Sequence, residues 1–275
     1  MRGPGERRIA DAAERIVSEG EPRLHRTWLA LIATSLLGGI DVGVGIMALL
    51  FVRHATGSEL LAGIAFSVGF IALLLGHSEL FTEGFLVPVA TVVAHAATWL
   101  DLARMWATVL VMNLVGGWIF TWLVMTAYPE LHGTAAALGA HYVNGGYTLR
   151  TFCLAVLAGG VITLMTRMHH GSDSMTGKLA ASVATAFVLA GFSLWHSVLD
   201  SLLAFAGLHT GHAAYGYADW ARWLAWCVLG NIVGGLLLTT APRLVRSSPV
   251  LDPHADPHAD PDADPDADAG SHGGA

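Results

Sequence analysis

Gly76-His77-Ser78-Glu79-Leu80-Phe81-Thr82-Glu83-Gly84 interrupts an apolar run that starts at Leu60 and resumes from Phe85 to Ala97. Two acids, a histidine and bracketing glycines in the middle of such a run break a helix rather than end it, because Phe85 to Ala97 is too short to cross a bilayer alone. A second interruption, Gly191-Phe192-Ser193-Leu194-Trp195-His196-Ser197, divides a run that begins near Gly177 and continues to Leu208. The remaining apolar runs are about Trp28 to Val52, Leu102 to Met125, Leu149 to Met165 and Trp220 to Thr240. The reading is an all-α membrane protein of six transmembrane helices, with the second and fifth broken. The breaks fall in matching positions of two three-span halves, the signature of an inverted repeat. Broken helices so placed point to a midplane site where half-helix N-termini aim freed N–H groups at an anion.

Composition agrees with this class. Hydrophobic residues make up 54% of the chain and charged residues 13%, which excludes an ordinary soluble enzyme. Seven of the 21 acids are aspartates between Asp252 and Asp268, so the formal charge of −7 belongs to the tail and the body is neutral. Nucleic-acid binding therefore has no support. Three segments follow: 1–27, a cytoplasmic N-terminal stretch in which Arg7 to Ile16 is a candidate amphipathic helix; 28–246, the six-span pore domain; and 247–275, a disordered acidic tail. With the N-terminus inside, eleven Lys and Arg fall in inner segments and only Arg53, Arg150 and Arg222 in outer ones, which orients both termini to the cytoplasm. His169 and His170 fall in an inner loop, and solvent exposure is favoured there over a metal site.

Ser78-Glu79-Leu80-Phe81-Thr82 resembles the omega-loop signature of the formate/nitrite transporter family. Three further pieces stand in the family's order: Met112 to Gly117, Gly191 to Ser197 with its single histidine, and Gly230 to Gly235. The resemblance extends over roughly residues 25 to 245. It implies a homopentamer of independent pores in the cytoplasmic membrane, each protomer an aquaporin-like six-helix bundle, passing small monovalent anions such as formate, nitrite or hydrosulfide, with no cofactor. Carried onto this chain, Thr82 resembles the hydroxyl facing the pore centre and His196 the central histidine. Leu80 and Phe81 look like the inner constriction, and Phe66 an outer one. Ser78, Glu79, Asn113 and Asn231 are assigned to holding the breaks together. Two departures stand out. The family's lysine shortly before span four has no counterpart in His141 to Gly146, Arg150 being the nearest cation, and the asparagine one turn after the histidine is replaced by Asp200.

The chemistry expected of these residues is proton exchange. An unpaired anion in hydrocarbon is costly, whereas its conjugate acid passes an apolar ring. Histidine, with a reference pKa near 6.5, can supply the proton. Asp200, one turn after His196, is expected on the same helix face, where a carboxylate would stabilise an imidazolium. Asp41 among Gly38, Gly39 and Gly43 is expected to hydrogen-bond exposed backbone. Two rival functions were weighed. An intramembrane serine protease lacks its Gly-x-Ser-Gly here. A divalent metal-ion transporter using His and Asp residues is the alternative retained.

Overall fold

The computed structural model describes residues 17–245. Arg7 to Ile16 and the acidic tail therefore lie outside the described residues. A short helix over 17–24 (α1) precedes α2 (Trp28–Thr56) and α3 (Glu59–Gly76); a loop and a 3-10 turn (Phe81–Phe85) lead into α4 (Val87–Val93). Then follow α5 (Trp99–Ala127), α6 (His132–Val143), α7 (Leu149–His170), α8 (Met175–Gly191), α9 (Ser197–His209) and α10 (Tyr217–Val233). The last continues as a π-helical stretch, Gly234–Thr240. Among the described residues five helices are long and apolar enough to cross a membrane, and α8 and α9 form the broken pair expected as the fifth span.

Local sequence explains where the helices start and stop. Thr27, Ser58, Thr98, Thr148 and Ser174 each sit at an N-cap and accept from a main-chain N–H of the first turn. Thr98 with Asp101 completes a reciprocal capping box. Both breaks begin with a left-handed residue, His77 and Ser193, each at φ 51°. A non-glycine residue there costs about 1 kcal/mol or more, so both turns are held by their surroundings.

What holds them is the same on both sides of the repeat. Asn113 Oδ1 accepts from Phe81 N at 3.0 Å, while its Nδ2 donates to Ser35 O and Glu79 O at 2.7 and 2.8 Å. Asn231 Oδ1 accepts from Ser197 N at 2.8 Å, and its Nδ2 donates to Ala155 O and Trp195 O at 2.9 and 2.8 Å. Each asparagine thus pairs two main-chain groups of the break that lost their helical partners and ties them to a carbonyl of the span before it, Ser35 O on α2 or Ala155 O on α7. Glycines let the backbones approach this closely: a Cβ on Gly39 would collide with Asn113 O, and one on Gly159 with Asn231 O.

The helix at 132–143 was not read from the sequence. Its glycines and alanines gave no sustained apolar run, yet it packs on α9 and buries Ala135, Gly139, Tyr142 and Val143. It is the counterpart of α1, which packs on α4 through Gly20 against Val87 and Thr91. Leu244, close to the other end of the described chain, also packs on Val87 and Ala90 of α4. Both termini of the described chain therefore lie at one end of the bundle, as an even number of crossings requires. His169 and His170 are part of α7 rather than a loop; His169 Nε2 meets Ser182 Oγ at 3.1 Å and His170 Nδ1 meets Glu19 Oε2 at 2.8 Å.

Candidate functional site: a histidine and a threonine between two helix breaks

The two breaks meet at Thr82 and His196, both fully buried, with Thr82 Oγ1 and His196 Nε2 2.8 Å apart. His196 is the N-cap of α9, and its Nδ1 accepts from Leu199 N at 3.1 Å. A ring nitrogen that accepts a backbone N–H carries no proton, which assigns the neutral tautomer with its proton on Nε2. Nε2–H then donates to Thr82 Oγ1 and leaves the threonine hydroxyl proton free to point elsewhere.

Asp200 does not face the imidazole as helical spacing suggested. Its Oδ2 accepts from His196 N at 2.7 Å, and the carboxyl is fully buried beside the Tyr142 hydroxyl. The reason is that His196 itself stands outside the helix: an N-cap residue has extended backbone, here φ −108° and ψ 122°, so its main-chain N–H faces Asp200 while its ring is taken up by Leu199 N and Thr82. Asp200 fixes the cap, and the cap fixes the ring.

The expectation that freed N–H groups hold an anion is also altered. Phe81 N and Ser197 N are taken by the asparagines and Leu199 N by His196, because a buried donor without a partner would cost 1–3 kcal/mol in rough terms. The Thr82 hydroxyl is a polar group this leaves at the crossing of the breaks, and Ser197 Oγ, buried next to His196, is another.

Leu80 is buried beside Thr82, and it stands in the first break where His196 stands in the second. The Phe81 ring meets Phe85 and Trp106 edge-on, with centroids 5.2 and 6.1 Å away, so it belongs to an aromatic cluster at the end near the termini. Phe66 is fully buried on α3, edge-on to Phe70 at 5.0 Å and packed against Gly45. Ser78 interacts through its side chain with Asp41. That contact, rather than backbone exposed at the glycines, is what Asp41 finds, since Gly38 and Gly39 are closed over by Glu79 and Asn113.

Glu79 is the group whose partners the sequence reading missed. Its carboxylate takes Arg23 Nε at 3.0 Å and Nη2 at 2.6 Å, and Arg26 Nη1 at 3.0 Å. Arg104 Nη2 in turn holds Leu24 O and Arg26 O at 2.5 and 3.1 Å. The signal was available: a carboxylate at membrane depth needs a cation, and Arg23 and Arg26 immediately precede the first span.

Among the described residues no group of three or more His, Cys, Asp or Glu side chains could hold a metal ion. The metal-transport alternative therefore finds no ligand set in the described structure.

A sequence model of the formate/nitrite transporter family matches residues 10–245. The formate channel BtFdhC of Bacillus thuringiensis is 24% identical over 237 residues, covering 81% of this chain and 89% of its own. A solved FNT family ion channel superposes with a TM-score of 0.74 at 19% identity, over 86% of this chain and 98% of that one. A pentameric formate channel solved with formate bound gives 0.61 at 22% identity, over 75% and 92%. These structures share the fold, and the family match spans both breaks and all the helices that carry them. The chain is a multi-pass membrane protein that belongs to the formate/nitrite transporter family.

Proposed function

We propose that this chain is a membrane channel for small monovalent weak-acid anions of the formate, nitrite and hydrosulfide class, and that the anion crosses the middle of the membrane as its neutral acid. The observation that carries this reading is the buried pair of His196 Nε2 and Thr82 Oγ1 at 2.8 Å, the point where two interrupted helices meet. Leu80 beside it, and Phe81 and Phe66 elsewhere in the buried interior, supply apolar surface that rejects charge. Formate and its kind pass such a barrier once protonated, and acetate tests the size limit.

His196 sets the proton chemistry in two ways. In its neutral form it orients Thr82, so that the hydroxyl donates to the passing anion and stabilises it until a proton arrives. As a proton donor it must first hold two protons, and Nδ1 can accept the second only by releasing Leu199 N. The imidazolium therefore forms at the cost of one helix-cap bond, and the donor is re-protonated from vestibule water. Glu79, Ser78, Asn113 and Asn231 keep the breaks in register, and Asp200 positions His196. The functional unit is a homopentamer with one pathway per protomer, a reading supported by the pentameric solved relative, and the excess of basic residues puts both termini in the cytoplasm.

The test is uptake into proteoliposomes, followed by internal pH, with formate, nitrite, hydrosulfide and acetate offered to the wild type and to His196→Ala. Entry of weak-acid anions with a pH dependence that the substitution abolishes supports both the substrate class and the role of His196. Entry of divalent cations with no anion flux would overturn the reading.

A further inference from the structure

A cavity of about 470 Å³ opens at the end of the bundle away from the termini. Its walls come from the end of α2, the start of α3 and one face of α6, and its floor is the second break, where Ser193 and Tyr142 line it. Tyr142 is buried and packs its ring against Trp195 and Trp223, with centroids 6.4 Å away in each case, so the floor separates the cavity from Asp200 and the His196 cap by one side chain. The ionisable groups on the lining are Arg53, His54, Glu59, His141 and Tyr142.

Arg53 and Glu59 on the lining carry opposite charges. Arg53 Nη2 pairs with Glu59 Oε1 at 3.1 Å, and Arg53 Nη1 donates to Gly57 O. The guanidinium is thus committed to the turn and to a carboxylate. His54 Nδ1 meets Thr134 Oγ1 at 3.2 Å and leaves its other nitrogen open, while His141 stands edge-on to Tyr142 at 5.0 Å. Arg150, the cation nearest in sequence to the missing lysine, does not line the cavity. The sign of this chamber is therefore set by two imidazoles. With both neutral the lining carries one cation and one anion; with both protonated it carries an excess of two positive charges facing each other from α2 and α6.

Resting on the channel reading above, we propose that this vestibule is an anion-binding site switched on by acid, with His54 and His141 as its ligands and a small carboxylate or other monovalent oxyanion as its guest. Arg53 contributes a fixed charge that Glu59 masks. Tyr142 and Ser193, whose side chains bond each other, close the floor beneath the anion. Acidification on that side then raises the local anion concentration and the supply of protons together, the two things a neutral-acid pathway consumes.

The experiment uses the full chain in lipid nanodiscs with formate as the probe. Saturation transfer from protein to the formate proton is compared at about pH 5.5 and about pH 8, either side of the imidazole range. The wild type is expected to show contact that strengthens about fivefold on acidification, and His54→Gln/His141→Gln to lose that increase. Glu59→Gln, which unmasks Arg53, is expected to bring contact at the higher pH up towards the acid value. His212→Gln, outside the cavity, is the control and keeps the wild-type profile. An unchanged profile in the double variant overturns the proposal. Because the readout is contact and not flux, a wild type that passes no anion yet loses acid-dependent contact in the double variant would sink the channel reading while the site stands.

Discussion

The first and second breaks share a skeleton and differ in what they hang on it. In each, a left-handed residue starts the loop, an asparagine on the following span closes three main-chain bonds, and a glycine on the preceding helix lets the asparagine's backbone in. Side chains at matching places then diverge. Glu79, tied to Arg23 and Arg26, stands where Trp195 packs on Tyr142 and Trp223; Leu80 stands where His196 does; Thr82 stands where Val198 does. One break is tethered by charge to the segment before the first span, and the other is embedded in aromatics and carries the titratable ring. The repeat thus supplies two equivalent scaffolds, and the site arises because each contributes a different half of one hydrogen bond.

The comparison is most severely tested at the asparagines. Asn113→Leu and Asn231→Leu each remove three buried hydrogen bonds and leave Phe81 N or Ser197 N without its partner, and should each lower stability by roughly 3 kcal/mol or more, enough to prevent recovery of folded protein. Thermal unfolding of the solubilised variants checks this, and unequal losses would break the equivalence of the two scaffolds. Glu79→Gln should act on the first break alone. The pair is partly exposed on the arginine side, so the loss is about 1–2 kcal/mol, read as earlier protease cleavage near Arg23 with the second break undisturbed.

Thr82→Val removes the hydroxyl that His196 orients and should reduce weak-acid flux by about tenfold, the equivalent of one buried hydrogen bond. Thr82→Ser should restore most of it. Recovery by serine separates a hydroxyl requirement from a packing defect. Asp200→Asn should have the smallest effect, under about threefold in flux, since an amide oxygen can still accept from His196 N. A large loss in this variant would mean that the carboxyl group itself exchanges protons with the pathway.

Much of this was legible in the residues. The interruptions at 76–84 and 191–197 gave both breaks because charge and glycine in an apolar run admit few explanations, and the motif order singled out Thr82 and His196, each for its own role, which the structure brings to 2.8 Å. Three things were not legible. Helix α6 is too rich in small residues to stand out in hydropathy, being a packing helix that buries one face on α9. The direction of Asp200 depends on His196 being a cap residue and not a helical one, which spacing alone does not distinguish. The vestibule histidines sit 87 positions apart in sequence, His54 and His141, and no local pattern joins them.

The glycine contacts beside the asparagines bear on how such a protein can move. Where Gly39 lies on Asn113 and Gly159 on Asn231, neighbouring helices touch through their main chains with no side chain between them to act as a bearing. Each half is locked internally at its own such point, where its first and third spans cannot slide past each other or past the break without tearing three hydrogen bonds at once. Movement inside a half must then fall to the loops and to the segment tied to Glu79, while the two rigid halves meet each other through α3 and α8 and at the Thr82–His196 contact.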